Sequence, residues 1–485
     1  MTDTIYKTEI ARKSYGNRYK IMIVVLTAVF MAVLNTNIVN VALPTITSFY
    51  NVPVGLSQWI ITGYQVTATI TPLIFAKLSD RIGKSRIFLI GLLIFTISSF
   101  LCGISTSLPE LIFFRIVQAL GGSMIMSINL AILMQIFPGP ERGRVMGYFT
   151  AIIGFGMIIG PTVGGILVDT LGWSYIFFVN LPIGILLLLP TLKYLKIEEK
   201  ITKEWYNDYT GSILFIISIG SFFMVLNTIS NTPVDVNAAA IYTAVFIASL
   251  AGFVVREIRV EKPFLDISVF KIRSFTFPNI SLVLYFTATF IMVLIQPFYF
   301  EGVMGFSPSN VGILAAVMPL AMMISSPVSG RIYDNLKLQK KSWIVGNYAM
   351  VGITLMGIAY FICGYGFEDS NLTLIVASFL LAGICRSIFQ GPNNLDIMAA
   401  LPQERGALAS SITVTNQSFG LALGTAMGTL LLSVLLFGEG YSGDVVGASA
   451  GLLKGVCGTT MYISSALCFV GAFLSYKWGL RSGEN

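Results

Sequence analysis

The chain has 485 residues, 55% of them hydrophobic and 11% charged, with a formal net charge of +7. Soluble domains carry about 25% charged residues, so this composition excludes an ordinary soluble enzyme, a disordered chain and a secreted disulfide scaffold. Histidine is absent, which removes Ser-His-Asp chemistry, histidine-held zinc and histidine proton relays.

The first 20 residues are basic, with Lys7, Arg12, Lys13, Arg18 and Lys20 against Asp3 and Glu9. The apolar run that follows is too long for a signal core and reads as a first membrane span. Apolar runs of spanning length then recur along the chain. They are expected at 21–43, 54–76, 87–107, 109–137, 145–168, 173–195, 209–229, 238–255, 275–300, 309–333, 343–364, 371–400, 407–437 and 453–476. A span takes roughly 20 residues. The runs are continuously apolar, whereas barrel strands alternate over about ten residues. The five cysteines form no CxxC pair and read as buried apolar side chains.

With the first tail placed inside, the inner segments hold 27 of the 30 Lys and Arg residues. The outer segments hold Glu110, Asp169, Asp235, Glu301, Glu368, Asp369, Glu439 and Asp444. This is the positive-inside pattern, and a missed span would scramble it. Both termini are therefore expected in the cytoplasm, and the basic charge is assigned to anionic lipid heads rather than nucleic acid.

Span 1 carries Asn35, Asn37 and Asn40. The loop after span 2, Ala76 to Arg86, packs Asp80 among Lys77, Arg81, Lys84 and Arg86, with Gly83 suited to a left-handed turn. It also reads as a plain basic loop. Gly83-Lys84-Ser85 is no phosphate loop, because Leu78 stands where a glycine is required. Arg115 in span 4 lies about 9 Å inside the outer end. It is followed by Gln118, and it must face the protein interior or a watery cavity; a snorkelling or structural arginine is the alternative. In span 5, Gly156, Gly160 and Gly164 share one helix face beside Pro161, with Gly165 adjacent. Small residues admit a second helix closely, and generic packing is the competing reading.

The order at Ala76 to Arg81 returns at Gly330 to Asp334 after span 10, and Glu141-Arg142-Gly143 returns as Glu404-Arg405-Gly406. The second copies are shifted by eight spans. Two six-span halves with two spans between them give fourteen, a parallel-repeat transporter architecture. Span 12 holds Arg386 and Asp396, about 15 Å apart along the helix. Glu301 ends span 9. Glu301 and Asp396 also read as ordinary end-of-span acids, while Arg386 is harder to place as structural.

These motifs together resemble the major facilitator superfamily, and within it the fourteen-span drug:proton antiporter branch. The resemblance rests on the Asp80 loop, on Leu34 to Pro44, on Gly154 to Gly165, and on Trp173 to Gly184 with Phe177, Phe178, Asn180 and Pro182. The second half matches more loosely through span count, Gly330 to Asp334 and Gln296 to Gly302. The resemblance implies a gating role for Asp80, Arg81, Gly83, Arg86, Gly330 and Asp334. It implies a seam between span 5 and the other half that closes the inner side. Arg115 and Gln118 match the family's Arg-x-x-Gln, although Ala119 stands where glycine is usual. Asn35 occupies the position of a carboxylate that handles protons or cationic drugs, and an amide does not titrate.

The expected fold is all-α: two six-helix bundles plus two extra transmembrane helices. The expected divisions are a tail at 1–20, a bundle at 21–195, a linker with two spans at 196–274, a bundle at 275–476 and a tail at 477–485. The expected function is drug efflux: export of small amphipathic or hydrophobic compounds across the cytoplasmic membrane, by proton antiport with alternating access. The alternative within transport is an exporter or flippase of an anionic or zwitterionic lipid or metabolite. A polytopic enzyme and a membrane sensor are the readings outside transport. The candidate substrate and coupling residues are Asn35, Arg115, Gln118, Glu301, Arg386 and Asp396. No cofactor and no metal are expected, the partners are the solute, protons and the bilayer, and the chain is expected to work as a monomer.

Overall fold

The structure is a computed structural model, and it describes residues 16–52, 54–57, 59–197, 208–230, 235–260, 264–306, 308–339, 342–441 and 448–479. Fourteen of its helices are long and apolar enough to cross a membrane. They are Arg18–Tyr50, Trp59–Ile82, Lys84–Gly103, Leu108–Ile136, Arg142–Thr170, Tyr175–Tyr194, Tyr209–Ser230, Val236–Arg259, Arg273–Gly302, Pro308–Leu338, Ser342–Asp369, Leu372–Ala399, Gly406–Gly438 and Ala450–Gly479, and are called spans 1 to 14 below. The all-α expectation holds. The linker charges Glu198, Glu199, Lys200, Lys203 and Glu204, most of the first tail, Asp444 and 480–485 lie outside the described residues.

The helix ends follow local chemistry. Ser107 caps span 4, its hydroxyl accepting from Glu110 N at 3.4 Å, while the Glu110 carboxylate accepts from Thr106 N at 2.9 Å. Asp235 caps span 8 and Asn371 caps span 12, accepting from Ala238 N at 3.0 Å and Leu374 N at 3.2 Å. Side-chain oxygens here satisfy the free amides of a first turn. Two acids assigned to the outer loops by sequence thus also start helices. Gly83 alone separates spans 2 and 3, with φ of 98°, as expected for a left-handed turn. Span 6 begins at Tyr175, close to the expected start. Its first helix, Tyr175–Phe178, is followed by Asn180–Tyr194, and Pro182 sits in the first turn of the latter, where a missing amide costs nothing.

By contacts the chain forms two units. The first holds residues up to Val145, Ile152–Asn207 and Leu401–Thr415. Within it span 4 packs on spans 2 and 3, and span 6 on spans 1 and 3. Spans 3 and 4 approach glycine to glycine: a Cβ added to Gly91 would lie 2.9 Å from the Gly121 carbonyl oxygen.

The second unit holds Met146–Ala151, Asp208–Ala400 and Asn416–Asn485. Within it span 14 packs on spans 9 and 11, span 12 on spans 10 and 11, and spans 7 and 8 pair with each other. Arg256 binds the buried Asp208 carboxylate at 3.1 Å, tying the start of span 7 to the end of span 8.

Candidate functional site

In the first unit a polar network sits among apolar helices. Arg115 is 1% exposed and Asn35, Gln118 and Asn180 are fully buried. Arg115 Nη1 donates to Gln118 Oε1 at 2.5 Å, and Nε donates to the Ile60 carbonyl oxygen at 3.3 Å. Its guanidinium carbon lies 4.2 Å from the Tyr64 ring centroid and 5.8 Å from that of Phe177. Asn35 Nδ2 donates to Gln118 Oε1 at 3.3 Å, and Gln118 Nε2 donates to Asn35 Oδ1 at 3.2 Å. Gln118 Nε2 also donates to Ser99 Oγ at 2.7 Å, and Asn180 Nδ2 to Asn35 Oδ1 at 3.2 Å. Five spans therefore converge on one charge. It faces the protein interior, as the cost of an arginine in hydrocarbon requires.

The second unit carries a smaller counterpart. Arg386 is 2% exposed and lies in the middle of span 12. Its Nε donates to Gln390 Oε1 at 3.3 Å, and its guanidinium carbon lies 5.8 Å and 5.9 Å from the Tyr285 and Phe286 rings. Both arginines thus donate to a glutamine one turn along their own helix and lie over aromatic rings.

The acids are placed differently. Every described acidic residue lies in a loop or within five residues of a helix end. Glu301, a coupling candidate by sequence, is the exposed penultimate residue of span 9, in keeping with its alternative reading as an end-of-span acid. Asp396 is half-buried one turn from the end of span 12, facing Tyr333 and Lys337 of span 10. Neither acid touches an arginine network.

The gating candidates divide. Asp80 is half-buried, with Lys84 and Lys77 as its charged neighbours; Lys84 Nζ reaches Gln135 Oε1 at 3.4 Å, and Arg86 is exposed. In the second copy Gly330 and Asp334 are buried near the end of the helix of span 10, as Ala76 and Asp80 lie near the end of span 2.

The span 5 motif makes a seam, but with span 1 of its own unit. A Cβ at Gly156 would meet Val33 Cγ1 at 2.9 Å, at Gly160 Asn37 Cβ at 2.7 Å, and at Gly164 Ile38 Cγ1 at 2.7 Å. The sequence expectation of a partner in the other half is corrected for these three glycines. A Cβ at Gly165 would meet nothing within 4 Å, and Pro161 is exposed within an unbroken helix. In the segment that groups with the second unit, a Cβ at Gly147 would meet the Ser326 carbonyl oxygen of span 10 at 2.5 Å.

Sequence reasoning did not single out Tyr64, Ser99, Gln390, Asn394 or Tyr285, and it quoted Asn180 only as part of a motif. One signal was available: Gln390 repeats, one residue further on, the spacing of Gln118 from Arg115.

Comparison with known proteins gives a consistent answer. The model of the Major Facilitator Superfamily matches residues 25–425. The riboflavin transporter RibZ of Clostridioides difficile is 30% identical over 94% of this chain and 97% of its own length. The multidrug export protein EmrB of Escherichia coli K12 is 29% identical over 86% of this chain and 80% of its own. Among solved structures, the human organic anion transporter MFSD10 superposes with a TM-score of 0.64 at 13% identity, over 94% of this chain and 99% of that one.

Proposed function

This chain belongs to the Major Facilitator Superfamily, and is therefore a transporter and not an enzyme; from that premise we propose that it exports small amphipathic compounds of drug-like size, neutral or anionic rather than cationic. The observation that carries the reading is that each unit buries an arginine within a span, Arg115 in the outer part of span 4 and Arg386 in the middle of span 12, while no acid lies in the middle of any described span. A cation entering such surroundings meets like charge at low dielectric, which is repulsive by several kcal/mol at contact distances. An anion or a carbonyl-rich ring meets donors. The relatives named for multidrug export and for riboflavin support an amphipathic, partly aromatic solute. The two units are the moving parts of an alternating-access cycle in this reading.

Proton coupling belongs to the same proposal and falls to an acid near a helix end. Of the two sequence candidates we take Asp396, half-buried and facing Tyr333 and Lys337, over the exposed Glu301.

The test is transport in inside-out membrane vesicles with an imposed pH gradient, screened with anionic, neutral and cationic dyes. Uptake of the anionic and neutral dyes is expected. Uptake of cationic dyes alone overturns the charge preference, and no transport of any dye overturns drug efflux. A second reading, flipping of an anionic lipid, draws on the same two arginines. It is favoured if fluorescent phosphatidylglycerol changes leaflet in proteoliposomes while the dyes do not move.

A further inference from the structure

The two arginine networks differ in how completely they are closed. In the first unit no atom of Arg115, Asn35 or Gln118 is buried without a partner, and Asn180 Oδ1 is the part of that network left open. In the second unit Arg386 Nη1 is buried with no hydrogen-bond partner. The Tyr285 hydroxyl is also unpartnered, as are both amide atoms of Asn394. All three residues are at most 2% exposed. The Thr289 hydroxyl is itself engaged, donating to the Tyr285 carbonyl oxygen at 2.8 Å and accepting from Tyr360.

These groups share one region of the fold. Arg386, Gln390 and Asn394 are spaced four residues apart and so line one face of span 12 over about 12 Å. Tyr285 of span 9 lies against that helix, its ring centroid 4.7 Å from Phe389 and 5.8 Å from the Arg386 guanidinium carbon. Asn393, next to Asn394, donates to the Pro278 carbonyl oxygen of span 9 at 3.1 Å.

Leaving a buried donor unmade costs about 1–3 kcal/mol, and more when it is charged. Native proteins keep few such groups, and those kept call for a reason. Three on one pair of helices, one of them a guanidinium, match a site whose ligand supplies oxygen acceptors. The guanidinium fork suits two adjacent acceptor oxygens. The rings of Tyr285, Phe286 and Phe389 suit a flat aromatic body.

We propose that the second unit holds the transported solute through Arg386 and the Tyr285 hydroxyl at its polar end, with Asn394 further along the same face of span 12 taking another polar group, and that this solute is a planar aromatic compound bearing adjacent oxygen acceptors. The assignment rests on the export reading above and narrows it. The first-unit network is then a positioning framework with its arginine already engaged. The acceptors are either the two oxygens of a carboxylate or the carbonyls of a ring dione, and the two sources are separable by probe.

The test is equilibrium binding to the purified full chain in lipid nanodiscs. Three probes are used: fluorescein for the carboxylate, riboflavin for the ring dione, and ethidium as a planar cation without acceptor oxygens. Wild type is expected to bind fluorescein or riboflavin at least about tenfold more tightly than ethidium, the size of one charged hydrogen bond. Arg386→Gln is expected to weaken that probe by about tenfold or more and to strengthen ethidium, which is relieved of the like charge. Which probe responds identifies the acceptor source. Tyr285→Phe keeps the ring and Asn394→Ala keeps the charge, and each is expected to weaken the same probe several-fold. These two variants carry the test if Arg386→Gln does not fold, and thermal unfolding of each free variant monitors that. Wild-type affinity in the folded variants overturns the assignment, and so does a wild-type preference for ethidium. Undiminished vesicle export by Arg386→Gln removes this assignment and leaves the export reading standing. Absence of export by wild type removes the export reading itself.

Discussion

Asn35 and Gln118 clasp each other through both ends of their amides, at 3.3 Å and 3.2 Å, with Gln118 Oε1 also accepting from Arg115 and Asn35 Oδ1 from Asn180. The amide at position 35 is thus a fitted part. A carboxylate there would lose the donor that Gln118 Oε1 receives.

Asn35→Ala is expected to lower stability by about 1–3 kcal/mol, because it strips partners from two buried amides. Thermal unfolding in detergent reads this. An unchanged midpoint would show that the clasp contributes nothing to the fold. Asn35→Asp, by contrast, places a titratable group beside the network and is expected to make export depend more steeply on pH in vesicles.

Gly160→Ala is expected to impair folding or transport, since its new methyl group would stand 2.7 Å from Asn37 Cβ. Overpacking of this kind typically costs about 1–3 kcal/mol. Gly165→Ala is expected to be silent, because nothing lies within 4 Å of its Cβ position. Equal effects of the two substitutions on the unfolding midpoint would contradict the seam with span 1.

Asp80→Asn is expected to leave the protein inserted and to reduce export. The substitution removes a charge facing Lys77 and Lys84 at the one-residue turn while the apolar spans are untouched. The measurement is vesicle transport normalised to inserted protein. Full transport would reduce the loop to an orientation signal.

An imposed pH gradient is expected to speed export by wild type and by Glu301→Gln equally, since Glu301 is exposed. Asp396→Asn is expected to abolish the acceleration. Equal acceleration in all three proteins would release both acids from coupling.

A cysteine replacing Lys271 is expected to react with an impermeant thiol reagent from the cytoplasmic side, and one replacing Asp369 from outside. All five native cysteines are buried, so the background is low. Reaction of position 369 from the cytoplasm would overturn the orientation read from the loop charges.

The span count was legible because hydropathy over about 20 residues is a sum that survives local error. The turn at Gly83 was legible because a left-handed residue has few candidates. Arg115 with Gln118 was legible because an arginine in an apolar run needs a partner nearby. The convergence of Asn35, Ser99 and Tyr64 on that pair, and of Asn180 on Asn35, was not, because contacts between separate helices, up to 145 positions apart in the chain, depend on helix rotation. Rotation also decided the partner of the span 5 glycines. A small-residue face says that a helix comes close but not which one. Glu301 and Asp396 looked equivalent in sequence because burial at a helix end is set by where the neighbouring helices stop.

Spans 1 and 13 are each continuous helices of 33 residues. At 1.5 Å per residue each measures about 50 Å, against a hydrocarbon core of about 30 Å. About 20 Å of each rod therefore stands in the headgroups or in water unless it tilts. A bilayer that thickens or thins by a few ångströms shifts where these rods leave the oil without stranding a polar turn inside it. Mismatch costs fractions of a kcal/mol per ångström for a span cut to length, and rods with this overhang are buffered against it. Export rates should accordingly vary little as the acyl chains of a reconstituted membrane are lengthened.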